Sequence, residues 1–414
     1  MEKVTKAVKF GFEANGELRA LLTKFRDLIN FCVERGLEKG ISSRFRLVKE
    51  VYEEAKQFGL HTHYILNACE VACAMLKNYR KAVRKGKKVK KPEAKKLFLK
   101  LDNQTYKLVK REDGLYLRIP TKPRKFLFLK LKYGDYQERF LNGNYKLGSV
   151  TINLNNVVLT FSKEIRPKSP RRVVAIDVNE ENVTCVSSDG VVKVYDLKKV
   201  KTIRYTYYLK RKSIQKKVKN RKLRKELLAK YSGREKRKVE WILHNVSKRI
   251  IKDFPDSEFV LENLKGIRKA INRRKLKKNK YNGKIQPHRT KPRKLLRRLN
   301  SWAFRKIQFF IEYKAKWNCL PVSYLDAKLT SSLCPMCGLR LEPNGHRIMR
   351  CKSCGLEMNR DIIACLNLLK MKGAWFRPDS LRMTSTSDEG RRNGNLVRKQ
   401  LTNGIIFALI FALK

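Results

Sequence analysis

The sequence predicts an α+β multidomain protein: a β-barrel with a helical domain inserted after its first strand, then an α/β domain carrying an inserted zinc ribbon. Three observations predict it. From Leu97 to Ser162 apolar and polar residues alternate with a period of two, after two stretches that repeat every three to four residues. From Arg171 onward, short apolar runs alternate with long basic stretches of helical period. Between Thr330 and Leu369 stand two CxxC pairs, Cys334/Cys337 and Cys351/Cys354, each followed by glycine.

Val4 to Glu13 (VTKAVKFGFE) alternates like a strand and is read as the first strand of the barrel, within residues 1–14. Glu17–Val51 and His63–Val83 carry helical periodicity and supply the inserted domain, residues 15–96. Cys69 and Cys73 sit four apart on the second of these stretches. With no second pair nearby, they read as core rather than as ligands. Ala82 to Lys96 is a basic connector ended by Pro92. The rest of the barrel, residues 97–166, comes from LFLKLDNQTYKLV, GLYLRIP, KFLFLKLKYG and GSVTINLNNVVLTFS. Lys, Arg, Tyr and Phe interleave there as on nucleic-acid-binding sheets, a pattern that ordinary strand alternation produces nearly as well.

Ile165 to Pro170 reads as a linker, and residues 171–329 as the first part of the α/β domain. It opens on RRVVAIDV, an apolar strand bearing Asp177. A carboxylate there is costly unless it is paired or bound to a cation; the alternative is a strand-end Asp that starts a turn. Tyr205 to Lys252 is a pair of basic helical stretches, and Glu258 to Lys265 (EFVLENLK) a short strand ending in Glu262. Lys265 to Arg298 is nearly continuous Lys and Arg, broken by Gly283 and Pro287, and reads as a mobile segment over a phosphate backbone. Trp302–Trp317 is an amphipathic helix and Leu320–Leu325 a last short strand before the ribbon, residues 330–356. A final helix, residues 357–375, begins at Asn359-Arg360-Asp361. Residues 376–414, polar with an apolar end, fit no motif and read as a disordered tail or an RNA contact.

The balance of charge narrows the function. With 98 Lys and Arg against 37 Asp and Glu, the formal net charge is +61 over 414 residues. So large an excess repels itself in isolation, so a polyanionic partner is expected. A membrane is a poor candidate, because the apolar run Ile405 to Leu413 is too short to span one and MEKVTKAVKF lacks a signal-peptide apolar region. The cysteines point to a reducing, intracellular setting. Cys334, Cys337, Cys351 and Cys354 have the spacing of two knuckles gripping one tetrahedral Zn2+; a redox CxxC would need only one pair. Asp177, Glu262 and Asp361, supplied by two strands and a helix, match the layout of RNase H-like folds. Such a set could hold two Mg2+ ions for phosphodiester hydrolysis.

VVAIDVNEENV, FVLENLKGI, TSSLCPMCG, CKSCG and NRDIIACLNLL together resemble the RuvC-like motifs and interposed zinc ribbon of TnpB, the transposon-encoded RNA-guided nuclease family related to single-protein type V CRISPR effectors. The resemblance is specific from Val173 to Leu369 and general before that. It implies a wedge β-barrel interrupted by a helical recognition domain, then a RuvC-like nuclease domain with the ribbon inserted. It implies that Asp177, Glu262 and Asp361 are catalytic and bind Mg2+, and that the four cysteines bind structural Zn2+. The implied partners are a guide RNA from the transposon end and target double-stranded DNA, cut next to a short adjacent motif, with the gene beside that of a small transposase. A transposase acting by strand transfer and an inactivated nucleic-acid-binding regulator are the alternatives. Three positions depart from the usual motifs: Asn179 stands for Gly, Asn359 for Asp and Ile363 for Asn.

Overall fold

The computed structural model describes residues 2–13, 16–122, 124–278, 283, 285–326, 328–376 and 380–383. Its chain divides into two units, Met1–Ile165 and Arg166–Lys414.

In the first unit, β1 (Glu2–Phe12) is followed by α1 (Gly16–Glu38), α2 (Arg44–Ala55) and α3 (Thr62–Val83). The single helical stretch expected over Glu17–Val51 is therefore two helices. The sequence KGISS interrupts it, and Ser43 takes the extended backbone of an N-cap at φ −87°, ψ 132°. Leu18, Leu21, Leu22, Phe25, Leu28 and Ile29 of α1 form the apolar stripe that helical period demands, all buried. Cys69 and Cys73 are buried in α3, as core residues would be.

The remaining strands are β2 (Phe98–Leu101), β3 (Lys107–Arg111), β4 (Gly114–Lys122), β5 (Lys125–Lys132), β6 (Lys146–Asn153) and β7 (Val157–Ile165), with α4 (Asp135–Leu141) between β5 and β6. They form one seven-stranded sheet of order β2-β6-β7-β1-β5-β4-β3. β1 joins its halves, pairing antiparallel with β7 from Glu2 to Phe10 and with β5 at Gly11 and Phe12. Among the described residues no ladder joins β2 to β3, so the expected barrel is a sheet with two edges. Those edge strands are its shortest, four and five residues, and offer few backbone groups for closure.

In the second unit, β8 (Arg172–Val178), β9 (Asn182–Ser187) and β10 (Val191–Asp196) run as an antiparallel meander. Two long helices follow, α5 (Lys198–Lys217) and α6 (Arg221–Asp253). β11 (Ser257–Glu262) then returns parallel to β8 on its free side. The basic stretch read as a mobile segment holds α7 (Ile267–Ile271), the hairpin β12 (Arg274–Lys278) and β13 (Ile285–Arg289), and α8 (Arg293–Ser301). Its Leu276 and Ile285 are exposed, so the hairpin buries no apolar face and left no periodic signal in the sequence. α9 (Phe304–Trp317) leads to β14 (Val322–Leu325), parallel to β11.

β15 (Glu342–Pro343), β16 (Ile348–Arg350) and β17 (Glu357–Asn359) form a small antiparallel sheet, and α10 (Arg360–Met371) follows directly. β18 (Arg382–Met383) adds an edge parallel to β10; most of the region read as a tail lies outside the described residues. The main sheet has the order β14-β11-β8-β9-β10-β18. Alternation along its strands makes two cores. Val174, Ile176 and Val178 join Phe259 and Leu261 on the face packed by α6 and α9. Ala175 and Val260 face the opposite way, toward α10 and the buried thiols of Cys334 and Cys351.

Candidate active site and thiol cluster

Strand alternation puts two of the three acids together. On β8, Asp177 shares the face of Ala175, and on β11, Glu262 shares the face of Val260. The parallel register ends at the pair Leu261–Ile176, so Glu262 and Asp177 both lie one residue beyond it and are neighbours on the α10 side. Asp361 enters from the first turn of α10, where an anion is favoured by the helix dipole. It is only 4% exposed, and Asp177 8%.

Each acid is held by a neighbour. Asn179 Nδ2 donates to Asp177 Oδ2 at 2.5 Å. Thr330 Oγ1 donates to Glu262 Oε1 at 2.8 Å, and Thr330 is itself buried. The Arg347 guanidinium meets Asp361 Oδ2 at 3.0 Å, and Asn182 Nδ2 lies 3.4 Å from the same oxygen. Arg347 adopts a left-handed backbone at φ 61°, unusual for a residue with a side chain. Its carbonyl accepts from Arg360 N at 2.8 Å, which anchors the turn beside the start of α10. Burial raises the Asp177 carboxyl well above its ordinary value. The charges of Glu262 and Asp361 push it further, against the Asn179 hydrogen bond and Arg347. Glu262 is raised too, chiefly by burial, with Thr330 and Arg360 opposing.

The departures from the usual motifs have local reasons. Asn359 is the N-cap of α10, its Oδ1 accepting from Asp361 N at 2.9 Å, so it fixes the first turn that carries the acid. Asn179 orients Asp177, and the Trp302 indole N–H donates to the Asn179 carbonyl at 2.9 Å. Ile363 is fully buried in the core shared by α10 and the sheet.

The two knuckles are built alike. Cys334 N donates to Leu339 O and Cys351 N to Leu356 O, both at 2.8 Å, while Gly338 N and Gly355 N return to the carbonyls of Cys334 and Cys351. Gly338 and Gly355 take φ of 77° and 72°, the left-handed backbone that each turn requires. The four thiol sulfurs all lie within 4.8 Å of one another, with Cys334–Cys354 and Cys337–Cys351 each at 3.5 Å. A tetrahedral ion with Zn–S bonds of about 2.3 Å sets its sulfurs about 3.8 Å apart, so the cluster is the right size for zinc. Burial pushes the Cys334 thiol up to about 12. Burial also raises Cys351, but hydrogen bonds from the Cys354 and Ser353 backbone and from Cys337 outweigh it and bring it down to about 7. Among the described residues the thiols are the one set of three or more such ligand atoms gathered so closely. The carboxylates share a face without converging to that distance.

Sequence reasoning singled out the three acids and the four cysteines. It missed Asn182, Thr330 and Arg347, which reach the acids from other elements of the chain. None of the three carries a local signal, since each is an ordinary polar residue in a loop or at a strand end.

Two family models match the chain: "Cas12f1-like, TNB domain" over residues 304–368, and "Uncharacterized protein MJ0013 family" over residues 21–119. The first match runs from α9 through the thiol cluster into α10. The TnpB-like protein MJ0751 of Methanocaldococcus jannaschii is 39% identical over 289 residues, covering 66% of this chain and 98% of that protein. The TnpB-like protein MJ1635 of the same organism is 27% identical over 323 residues, 75% of this chain and 68% of its own. Among solved structures, a chain of the cryo-EM structure of the Cas12f1-sgRNA-target DNA complex aligns with a TM-score of 0.51 at 12% identity. That alignment covers 88% of this chain and 98% of the other. At that identity the likeness is one of fold.

Proposed function

The chain belongs to the TnpB family, and from that premise we propose that it is an RNA-guided, Mg2+-dependent DNA endonuclease of a transposon, with one RuvC-like site formed by Asp177, Glu262 and Asp361. The observation that carries the reading is the common face of the three acids: two on adjacent parallel strands in register, the third on the first turn of the helix above them. Three carboxylates so placed repel one another, and that repulsion adds to burial in raising Asp177. Their hard oxygen donors suit Mg2+, which when bound supplies the Lewis acidity that stabilises the attacking and leaving oxygens of phosphodiester hydrolysis.

The chain's own groups do the rest. Asn179, Thr330 and Arg347 orient Asp177, Glu262 and Asp361 respectively. Cys334, Cys337, Cys351 and Cys354 hold a structural Zn2+ that keeps the segment bearing Thr330 and Arg347 in place. Residues 1–14 and 97–166 serve as the wedge around the recognition helices 15–96. Residues 171–329 and 357–375 make the nuclease domain and residues 330–356 its ribbon. The +61 charge suits a guide RNA and target DNA, with base pairing reading the sequence and the protein reading a short adjacent motif. The solved relative named above is itself a complex with an sgRNA and target DNA. A nucleic-acid substrate of this kind goes with a cytoplasmic site of action.

The test is to express the gene with its flanking DNA, recover the bound RNA and assay cleavage with Mg2+. Changing the guide segment should move the cut correspondingly. RNase-treated protein cutting the same DNA equally well would overturn the guided reading, and joining of ends into new DNA would favour strand transfer.

A further inference from the structure

Asn182 opens β9 on the same face as the acids. Val183 and Cys185 point into the α6–α9 core, so Asn182 and Thr184 point toward α10, and Thr184 is the ladder partner of Asp177. The turn from Asn179 to Asn182 is closed by Asn179 N donating to Asn182 O at 2.9 Å. That one turn thus carries two side-chain amides, Asn179 on Asp177 and Asn182 on Asp361.

The two ends of the Asn182 amide differ. Nδ2 faces Asp361 Oδ2; the reverse orientation would set two acceptors against each other, so the assignment follows from chemistry. Oδ1 is buried and has no hydrogen-bond partner among the described residues. An acceptor left so carries a desolvation penalty that an apolar side chain would avoid. Amide geometry sets Oδ1 about 2.2 Å from Nδ2, hence within about 6 Å of the Asp361 carboxylate. A bare acceptor beside the Asp361 carboxylate attracts a donor. It adds no negative charge to a place where Asp177, Glu262 and Asp361 already repel and where Arg347 and Arg360 are nearby cations. Water on a divalent cation is such a donor, and Mg2+-type ions keep several of their waters when bound by carboxylates.

We propose that Asn182 is a positioning residue of the carboxylate site, its Nδ2 fixing Asp361 and its Oδ1 accepting a hydrogen bond from water on a Mg2+- or Mn2+-type cation. This rests on the carboxylate reading above. The full chain, freed of nucleic acid and dialysed free of Mg2+, is titrated with Mn2+, and free Mn2+ is read by electron paramagnetic resonance. Wild type, Asn182→Ala, Asn182→Asp and Asp177→Asn are compared, with the Tm of each measured without Mn2+. The expected result is that Asn182→Ala weakens Mn2+ binding roughly 10- to 100-fold while its metal-free Tm is unchanged or higher. Asn182→Asp, which keeps an acceptor oxygen, binds at least as tightly as wild type. If Asn182→Ala binds Mn2+ like wild type while Asp177→Asn does not, the inference falls and the carboxylate reading stands. If Asp177→Asn also binds like wild type, both fall.

Discussion

Replacing Asp177 by Asn should stabilise the cation-free protein while abolishing cleavage. Asp177 and Glu262 project from adjacent strands on one face, one residue beyond the same registered pair. Neighbouring strands lie about 4.8 Å apart, which sets the two carboxylates at about 5.5 Å. At an effective dielectric near 20 their repulsion is about 3 kcal/mol when both are ionised. Part of that is relieved in the wild type because burial and both neighbouring acids make Asp177 bind a proton more readily than an exposed carboxyl does. A net gain of about 2 kcal/mol for Asp177→Asn is therefore reasonable, and for a unit of this size it corresponds to a Tm increase of roughly 4–8 °C.

The sign of the pH dependence follows. A carboxyl raised in the folded state binds more protons there than when unfolded. The stability it contributes is full below its ordinary value and is lost as pH rises through the raised one. The advantage of Asp177→Asn should thus be small in acid and grow toward alkaline pH. Thermal melts of both proteins in a Mg2+-free buffer, from acid to pH 9, test it. An Asn variant no more stable than wild type at high pH, or an advantage independent of pH, would refute the electrostatic argument.

Elemental analysis of protein purified without added metal should find one Zn2+ per chain; none, or a disulfide among the four cysteines, would remove the structural zinc. Glu262→Gln and Asp361→Ala should each abolish guided cleavage while RNA retention by filter binding is unchanged, and wild-type cutting by either would show that the wrong acid had been assigned. Thr330→Val removes the hydrogen bond to Glu262, worth about 1.5–3 kcal/mol to an ionised carboxylate, and should shift the acid limb of the cleavage pH profile upward. An unmoved profile would mean that Thr330 does not act through Glu262.

What could be read from the sequence depended on whether a residue's environment is set locally. Asp177 stood out because a charge interrupts RVVAIDV, and the thiols because one ion imposes a fixed spacing on both knuckles. The strands β8, β11 and β14 were legible as apolar runs because the sheet is covered on both faces. The break at KGISS was missed because both flanking helices keep the same periodicity. The open edges of the first sheet were missed because closure depends on ladders between strands distant in sequence, which alternation does not encode. The β12–β13 hairpin was missed for the opposite reason: with no buried face it has no pattern to read.

The residues that organise the acids were silent for a related reason, and their positions bear on what the thiol cluster is for. Thr330 and Arg347 lie on either side of the first knuckle, and each reaches an acid on another element, Glu262 of β11 and Asp361 of α10. Asn367 of α10 donates to the carbonyls of Thr330 and Leu333, at 2.7 and 2.8 Å, tying the entry to the knuckle back to the helix that carries Asp361. Cys334 and Cys351 are buried in the same core as Ile362 and Leu366. A segment of this size has little apolar core of its own, so an ion holding its four thiols would be the main constraint on its shape. Loss of that constraint would release Thr330 and Arg347 together, leaving Glu262 without its Thr330 hydrogen bond and Asp361 without its Arg347 ion pair. The cluster is thus a part of the carboxylate site seen from the other side of one core.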